Sequence, residues 1–227
     1  MRAAAEPGLR PGGGLAEAEA LPWRRAASER GLRRDGWLWT AWTSWVVGIF
    51  AAPGAVLIWI EPFAFPAAAA CFAHAWAVPW LQARRGARSL VPIGADPRAD
   101  NDAGAEGVAL GLLGDLVDHE QRDLLSTTGV VVERGRLGVW LLGKQGAILV
   151  RSGGRRVDCW CVRVAEREDL PGGDQVAHLL LAVREDERGF AKVANFGFSG
   201  ATWRVRRHLA PPARPAFNAG RALARRR

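Results

Sequence analysis

Two uncharged runs constrain this chain more than any other feature. Trp37 to Ile60 is 24 residues without a charged side chain and Pro62 to Gln82 is another 21, with only Glu61 between them. At 1.5 Å of rise per residue, a hydrocarbon core of about 30 Å takes roughly 20 apolar residues, so each run is long enough to cross. The pair is predicted to form a transmembrane helical hairpin over residues 37–82. Pro62 and Pro66 stand where the second helix begins, where a missing amide donor costs little. Pro53 lies inside the first run and is expected to kink it.

The flanks predict orientation. Arg24, Arg25, Arg30, Arg33 and Arg34 precede the first run, and Arg84, Arg85 and Arg88 follow the second, whereas the connecting turn holds no basic residue. By the positive-inside rule both ends are cytoplasmic. Trp37, Trp39, Trp42 and Trp45 open the first run and Trp76 and Trp80 close the second, which reads as an aromatic belt at one membrane interface, with Trp59 and Phe63 at the other. Residues 1–36 carry Pro11-Gly12-Gly13-Gly14 and seven Arg and are expected to be a disordered basic arm. The arm and the apolar run are too long for a signal peptide, so the segment is expected to be retained.

Nearly half of the 227 residues are hydrophobic, yet the mean hydropathy is −0.04, so the apolar residues are segregated into blocks. The charge is segregated as well. Lys plus Arg outnumber Asp plus Glu by 31 to 23, and residues 201–227 alone carry eight Arg and no acid, which accounts for the whole net charge of +8. Only Lys144 and Lys192 are lysines, a bias that fits a GC-rich bacterial genome. The three cysteines, Cys71, Cys159 and Cys161, are too few and too clustered for a disulfide framework and indicate a reducing compartment.

Residues 83–104, with Pro92 and Pro97, read as a linker to a cytoplasmic domain over 105–209. Leucines at 110, 113, 116, 124 and 125 predict one amphipathic helix over 105–127, ending at Gly129. Gly107, Gly111 and Gly114 share a stripe of that helix, which is expected to pack against a sheet. Strands are predicted at 130–134, 137–142, 147–151, 156–164, 176–184 and 189–198, joined by short turns and therefore antiparallel. The 165–175 connection, with Pro171-Gly172-Gly173, is the one longer loop. A helix near 201–209 then leads into a basic tail over 210–227. The domain is α+β in class: helix, six-stranded meander, helix.

Several constellations could carry chemistry. Cys159-Trp160-Cys161 on a strand puts two thiols on one side, and with His178 on a neighbouring strand they could bind a soft metal, although buried free cysteine is commoner as a small hydrophobe. Gly197-Phe198-Ser199-Gly200-Ala201 sits at a predicted strand-to-helix junction like a nucleophile elbow, with His119 or His178 and Asp158 as conceivable partners. The simpler role for Ser199 or Thr202 is to cap the following helix. His74 and Cys71 share a face of the second span, and His74 is expected to bond a carbonyl of the first. No dinucleotide, P-loop or paired metal-ligand motif occurs, and no cofactor is expected.

Gly104-Ala105-Glu106-Gly107 and the strand from Leu137 to Val150 bear a faint resemblance to the nuclease-related domains often tethered to bacterial membranes. Those domains need an Asp at the start of that strand and an acidic-x-Lys pair after it. Here Gly138 and Arg151-Ser152-Gly153 stand in the comparable places, so no family is assigned.

Arg204, Arg206, Arg207, Arg214, Arg221, Arg225, Arg226 and Arg227 are candidates for contact with anionic lipid, since a polybasic segment near a bilayer gains about 1 kcal/mol per basic residue. No element that would read nucleic acid is found. The expected protein is a two-pass bacterial inner-membrane protein, both termini cytoplasmic, whose domain binds or regulates a protein partner of unknown identity, with homo-oligomerisation through the hairpin left open. The alternative is a membrane-tethered enzyme using Ser199, or a thiol or metal centre at Cys159 and Cys161.

Overall fold

The structure is a computed structural model that describes residues 27–94, 103–162 and 170–226. It opens on a long helix, α1 (Glu29–Ile60), followed by a 3-10 turn (Pro62–Ala64) and α2 (Phe65–Ala87). Ser28 begins α1 by accepting a hydrogen bond from Gly31 N at 3.0 Å. Pro53 stands inside α1 without ending it. Glu61 closes the hairpin: its N–H donates to Leu57 O at 3.0 Å and its carboxylate accepts from Phe63 N at 3.3 Å.

Both helices are long and apolar enough to cross a membrane. They pack along each other over much of their length. Away from that contact they expose large apolar side chains such as Trp45, Trp59, Phe63 and Phe65. Gly54 lets the two helices approach closely, since a Cβ there would come within 3.1 Å of Cys71 Cβ.

The rest of the chain is α3 (Ala103–Asp115), α4 (His119–Thr128), β1 (Val131–Arg134), β2 (Gly138–Gly143), β3 (Gly146–Arg151), β4 (Arg156–Cys161), α5 (Gly172–Glu185), α6 (Glu187–Val193), β5 (Asn195–Ala201), α7 (Thr202–His208) and α8 (Ala213–Arg225). The strands form one antiparallel sheet in the order β1-β2-β3-β4-β5. Helices cover both faces. Trp140, Leu149 and Trp160 point into a core closed by Leu113, Leu180 and Phe190, whereas Leu141, Ile148 and Phe198 point the other way against Ala83, Val205 and Phe217. Because both faces are buried, β2 and β3 read as continuous apolar runs instead of alternating ones.

The fold class is α+β as expected, with five strands among the described residues where six were predicted. Residues 176–184 are helical, inside α5. Val176, Leu179, Leu180 and Val183 are its buried positions, spaced i, i+3, i+4 and i+7, so this apolar run has the helical period and was open to misreading as a buried strand. The predicted strand 189–198 divides: Asp186 caps α6 by accepting from Gly189 N at 2.8 Å, and only Asn195 onward is strand.

The single helix over 105–127 is two helices. Asp118 starts the second by accepting from Gln121 N at 2.8 Å, and Gly129 ends it with a φ of 63°, where a Cβ would meet Ile93 O at 2.5 Å. The glycine stripe does not pack on the sheet: Gly107 and Gly111 have nothing within 4 Å of a built Cβ, and only Gly114 has neighbours, from Arg122.

Residues 29–36, assigned to the arm, are the first turns of α1, and α2 runs to Ala87, into the expected linker. The basic tail is mostly the helix α8, whose Ala213, Ala216, Phe217 and Ala224 are buried on the sheet. Residues 1–26 of the arm, 95–102 of the linker, 163–169 of the long connection and Arg227 lie outside the described residues.

Candidate functional site

The hairpin and the sheet meet at a built junction. Leu32, Gly36, Trp39 and Thr43 follow one helical stripe of α1, and this stripe faces the sheet domain and α2. Trp39 stands edge-on to Phe196 and Phe198 at 5.9 and 6.0 Å. Arg156 donates to Gly36 O at 2.8 Å and to Thr40 Oγ1 at 2.9 Å. Arg151 donates to Leu32 O and, through Nε and Nη2, to both carboxylate oxygens of the fully buried Asp158. On α2, Gly86 lets the backbone approach Phe198: a Cβ would fall 2.7 Å from Phe198 Cβ.

Burial pushes the Asp158 carboxyl above its ordinary range, against the pull of Arg151. Ser199 faces Asp158 across the β4–β5 pair. Its buried hydroxyl lies near that carboxylate but makes no hydrogen bond of normal geometry. A Cβ on Gly36 would be 3.0 Å from Ser199 Oγ, so α1 lies directly over this serine.

These positions decide the sequence candidates for chemistry. Ser199 is inside β5, buried under α1, and residues 197–201, where the elbow was expected, lie within that strand, whose register against β4 shifts at Gly197. Neither Ser199 nor Thr202 caps α7, which has no side-chain cap. His178 lies exposed on α5, on the face of the sheet opposite to Cys159, so thiol and imidazole are not brought together, and Ser199 is buried beneath α1. Cys159 is fully buried, and desolvation, then Asp158, raise its thiol well above the usual range. Such a group stays protonated and is a poor soft-metal ligand. Cys161 is exposed, and no group of three or more metal-ligating side chains occurs among the described residues. His74 bonds Ala70 O of its own helix at 2.8 Å and stacks on Phe50 of α1 at 5.4 Å, instead of bonding a carbonyl of α1.

Five of the eight basic residues of the C-terminal segment fall into two groups, while Arg225 and Arg226 are exposed at the end of α8 and Arg227 lies outside the described residues. Arg206 donates to Asn218 Oδ1, Arg214 to Leu209 O and Arg221 to Gly154 O, so these serve the domain's own packing. Arg204 and Arg207 turn toward the hairpin, where Trp76, Trp80, Trp203 and His208 complete a cavity of about 230 Å³ between α2 and α7. Trp76 and Trp80 stack at 5.7 Å, Trp80 meets His208 edge-on at 5.1 Å, and Arg84 lies over Trp80 at 5.4 Å.

Two carboxylates that sequence reading passed over are structural. Glu106 accepts from Gly172 N at 2.6 Å and Gly173 N at 3.0 Å, capping α5 from α3. Glu187 accepts from Arg136 N, Leu137 N and Trp140 Nε1 and so fixes the β1–β2 turn. Neither has a local sequence signal, because each partner lies about 50 or more residues away. In comparisons with known proteins, no family model, no curated protein and no solved structure matched the chain.

Proposed function

We propose that this chain is a two-span protein of a bacterial plasma membrane, both termini cytoplasmic, whose α+β domain is a non-catalytic interaction or regulatory module held at the membrane surface. The observation that carries the reading is the junction itself. Arg151 and Arg156 hold the first turns of α1, and Gly86 seats α2 on Phe198, while the remainder of both helices exposes tryptophan, isoleucine and phenylalanine. A partner docked on the domain is thereby fixed in height and orientation relative to the bilayer, which a flexible tether would not achieve.

The non-catalytic part rests on the burial of Ser199 beneath Gly36 and of the protonated Cys159 thiol, two of the three nucleophiles that an enzyme reading would use; the third, Cys161, is exposed and belongs to no group of three metal-ligating side chains among the described residues.

The test is thiol labelling with an impermeant reagent in intact spheroplasts. Cys71, Cys159 and Cys161 are first replaced, and single cysteines are introduced at the exposed positions Glu61, Ser152 and Ala210. Labelling at 61 alone is expected. Labelling at 152 or 210 from outside overturns the orientation, and equal labelling at all three overturns the membrane reading.

A further inference from the structure

We propose that the cavity between α2 and α7 is a binding site for the phosphate headgroup of an anionic phospholipid, resting on the membrane reading above. Arg204 and Arg207 would receive the phosphate, and Trp76, Trp80 and Trp203 would flank the glycerol and upper acyl chains.

Position is the first ground. From Phe63, exposed at the far turn, to Trp80 the helical rise amounts to about 26 Å, close to the hydrocarbon thickness of a bilayer. The cavity therefore opens at the level where headgroups begin. At about 30 Å³ per water its volume equals roughly eight waters, room for a phosphate with a short polar extension.

Charge is the second. Arg204 and Arg207 sit over the Trp203 ring at 5.4 and 4.9 Å, and Arg84 over Trp80. Stacking on an aromatic face leaves the edge N–H groups of a guanidinium available for phosphate. Among the described residues neither Arg204 nor Arg207 forms a hydrogen bond or an ion pair, no acid lines the cavity, and none occurs anywhere from Ala201 onward. The remaining titratable group is His208. Burial, then Arg84 and Arg207, hold its imidazole below the ordinary value, which registers the uncompensated positive potential.

Wet and apolar requirements meet in one place. Trp203 is half exposed although it is large and aromatic, and Trp76 is 66% exposed beside it. Exposed tryptophans adjoining arginines suit the boundary between acyl chains and water and are costly in water alone.

The experiment titrates the full chain in detergent with phosphatidylglycerol or phosphatidylcholine and counts bound lipid by native mass spectrometry. The parent is expected to prefer phosphatidylglycerol by about thirtyfold. Arg204→Gln with Arg207→Gln should weaken that binding about thirtyfold, to the phosphatidylcholine level. Arg225→Gln with Arg226→Gln, at the C-terminal end of α8, should change it less than twofold. Trp203→Leu, which keeps both charges, should also weaken it, and circular dichroism confirms that each variant is folded.

Bound phosphatidylglycerol should in addition raise the His208 pKa, followed by NMR of its ring, in the parent and not in the arginine double variant. Equal losses in the cavity and α8 variants, or no headgroup preference in the parent, overturn the proposal. Displacement of the lipid by millimolar inorganic phosphate assigns the site to a soluble anion and overturns it as well. If labelling at 61 succeeds and headgroup preference fails, only this site is wrong. If preference holds and the labelling pattern fails, the membrane reading is what falls.

Discussion

Arg151 clasps Asp158 with two N–H groups, Nη2 to Oδ1 at 2.9 Å and Nε to Oδ2, and the same guanidinium reaches the Leu32 carbonyl of α1. The side chains are 14% and 0% exposed, so this is a buried pair. Removing one partner of such a pair leaves an uncompensated charge and costs about 3–5 kcal/mol, whereas replacing both by apolar residues of similar volume is far milder. Asp158→Ala should lower the unfolding free energy from urea titration by that amount, followed by tryptophan fluorescence in detergent. Arg151→Met with Asp158→Leu should recover much of it. The double variant still lacks the donor to Leu32, so amide exchange in the first turns of α1 should rise there even where global stability returns. A double variant as unstable as Asp158→Ala refutes this account of the junction.

The same pair has a pH signature. The Asp158 carboxyl is raised in the folded chain, chiefly by burial. For an acid raised by folding, the unfolded chain ionises first as pH climbs. The stability contributed by the protonated form is therefore complete below the unfolded value of about 3.9 and is withdrawn as pH rises through the folded value. The advantage of the parent over Asp158→Asn should accordingly shrink as pH rises above about 4 in parallel urea titrations. A growing advantage would mean that Arg151 outweighs burial.

Glu187 is the anchor of the first hairpin. Its carboxylate accepts from Arg136 N at 2.7 Å, Leu137 N at 2.9 Å and Trp140 Nε1 at 2.6 Å. Hydrogen bonds to a charged group contribute about 1.5–3 kcal/mol each and are not additive. Glu187→Ala should cost about 3 kcal/mol or more, and Glu187→Gln, which keeps one acceptor oxygen, about half. The local readout is the Trp140 indole N–H resonance, which should shift upfield in both variants, with faster amide exchange at Arg136 and Leu137. Loss of stability without change at these sites would place the effect elsewhere in α6.

The parts legible in the sequence are those whose cause is local. The apolar hairpin, the β1 to β4 meander with its glycine turns, and the helix after residue 201 follow from uncharged length, turn residues and short connections. The rest was obscured in two ways. A sheet buried on both faces removes the alternation that separates strand from helix, so Val176 to Arg184 looked like one more strand although Val176, Leu179, Leu180 and Val183 have the helical period. The expected basic tail concealed Ala213, Ala216, Phe217 and Ala224, a buried stripe spaced 3, 1 and 7 residues apart beneath exposed arginines. The junction was not legible at all. That Arg151 meets Leu32, or that Arg204 and Arg207 line one cavity with Trp76 and Trp80, depends on which faces the tertiary fold brings together.

Two glycines separate what spacing could tell from what packing decides. Gly86 and Gly111 both lie inside helices, where alanine is intrinsically preferred by about 1 kcal/mol. At Gly111 nothing lies within 4 Å of an added Cβ, so Gly111→Ala should stabilise the domain by up to that amount. At Gly86 the new carbon would sit 2.7 Å from Phe198 Cβ and 2.9 Å from Cδ1, and Phe198 is fully buried and cannot swing away. Overpacking of this kind costs about 1–3 kcal/mol, and α2 must lift from β5 to relieve it. Gly86→Ala should therefore lower the thermal midpoint in detergent and raise protease sensitivity where α2 leaves the sheet, while Gly111→Ala raises the midpoint. The sign is the test: a stabilised Gly86→Ala would show that α2 is not seated on Phe198 and that the hairpin hangs loosely from the domain.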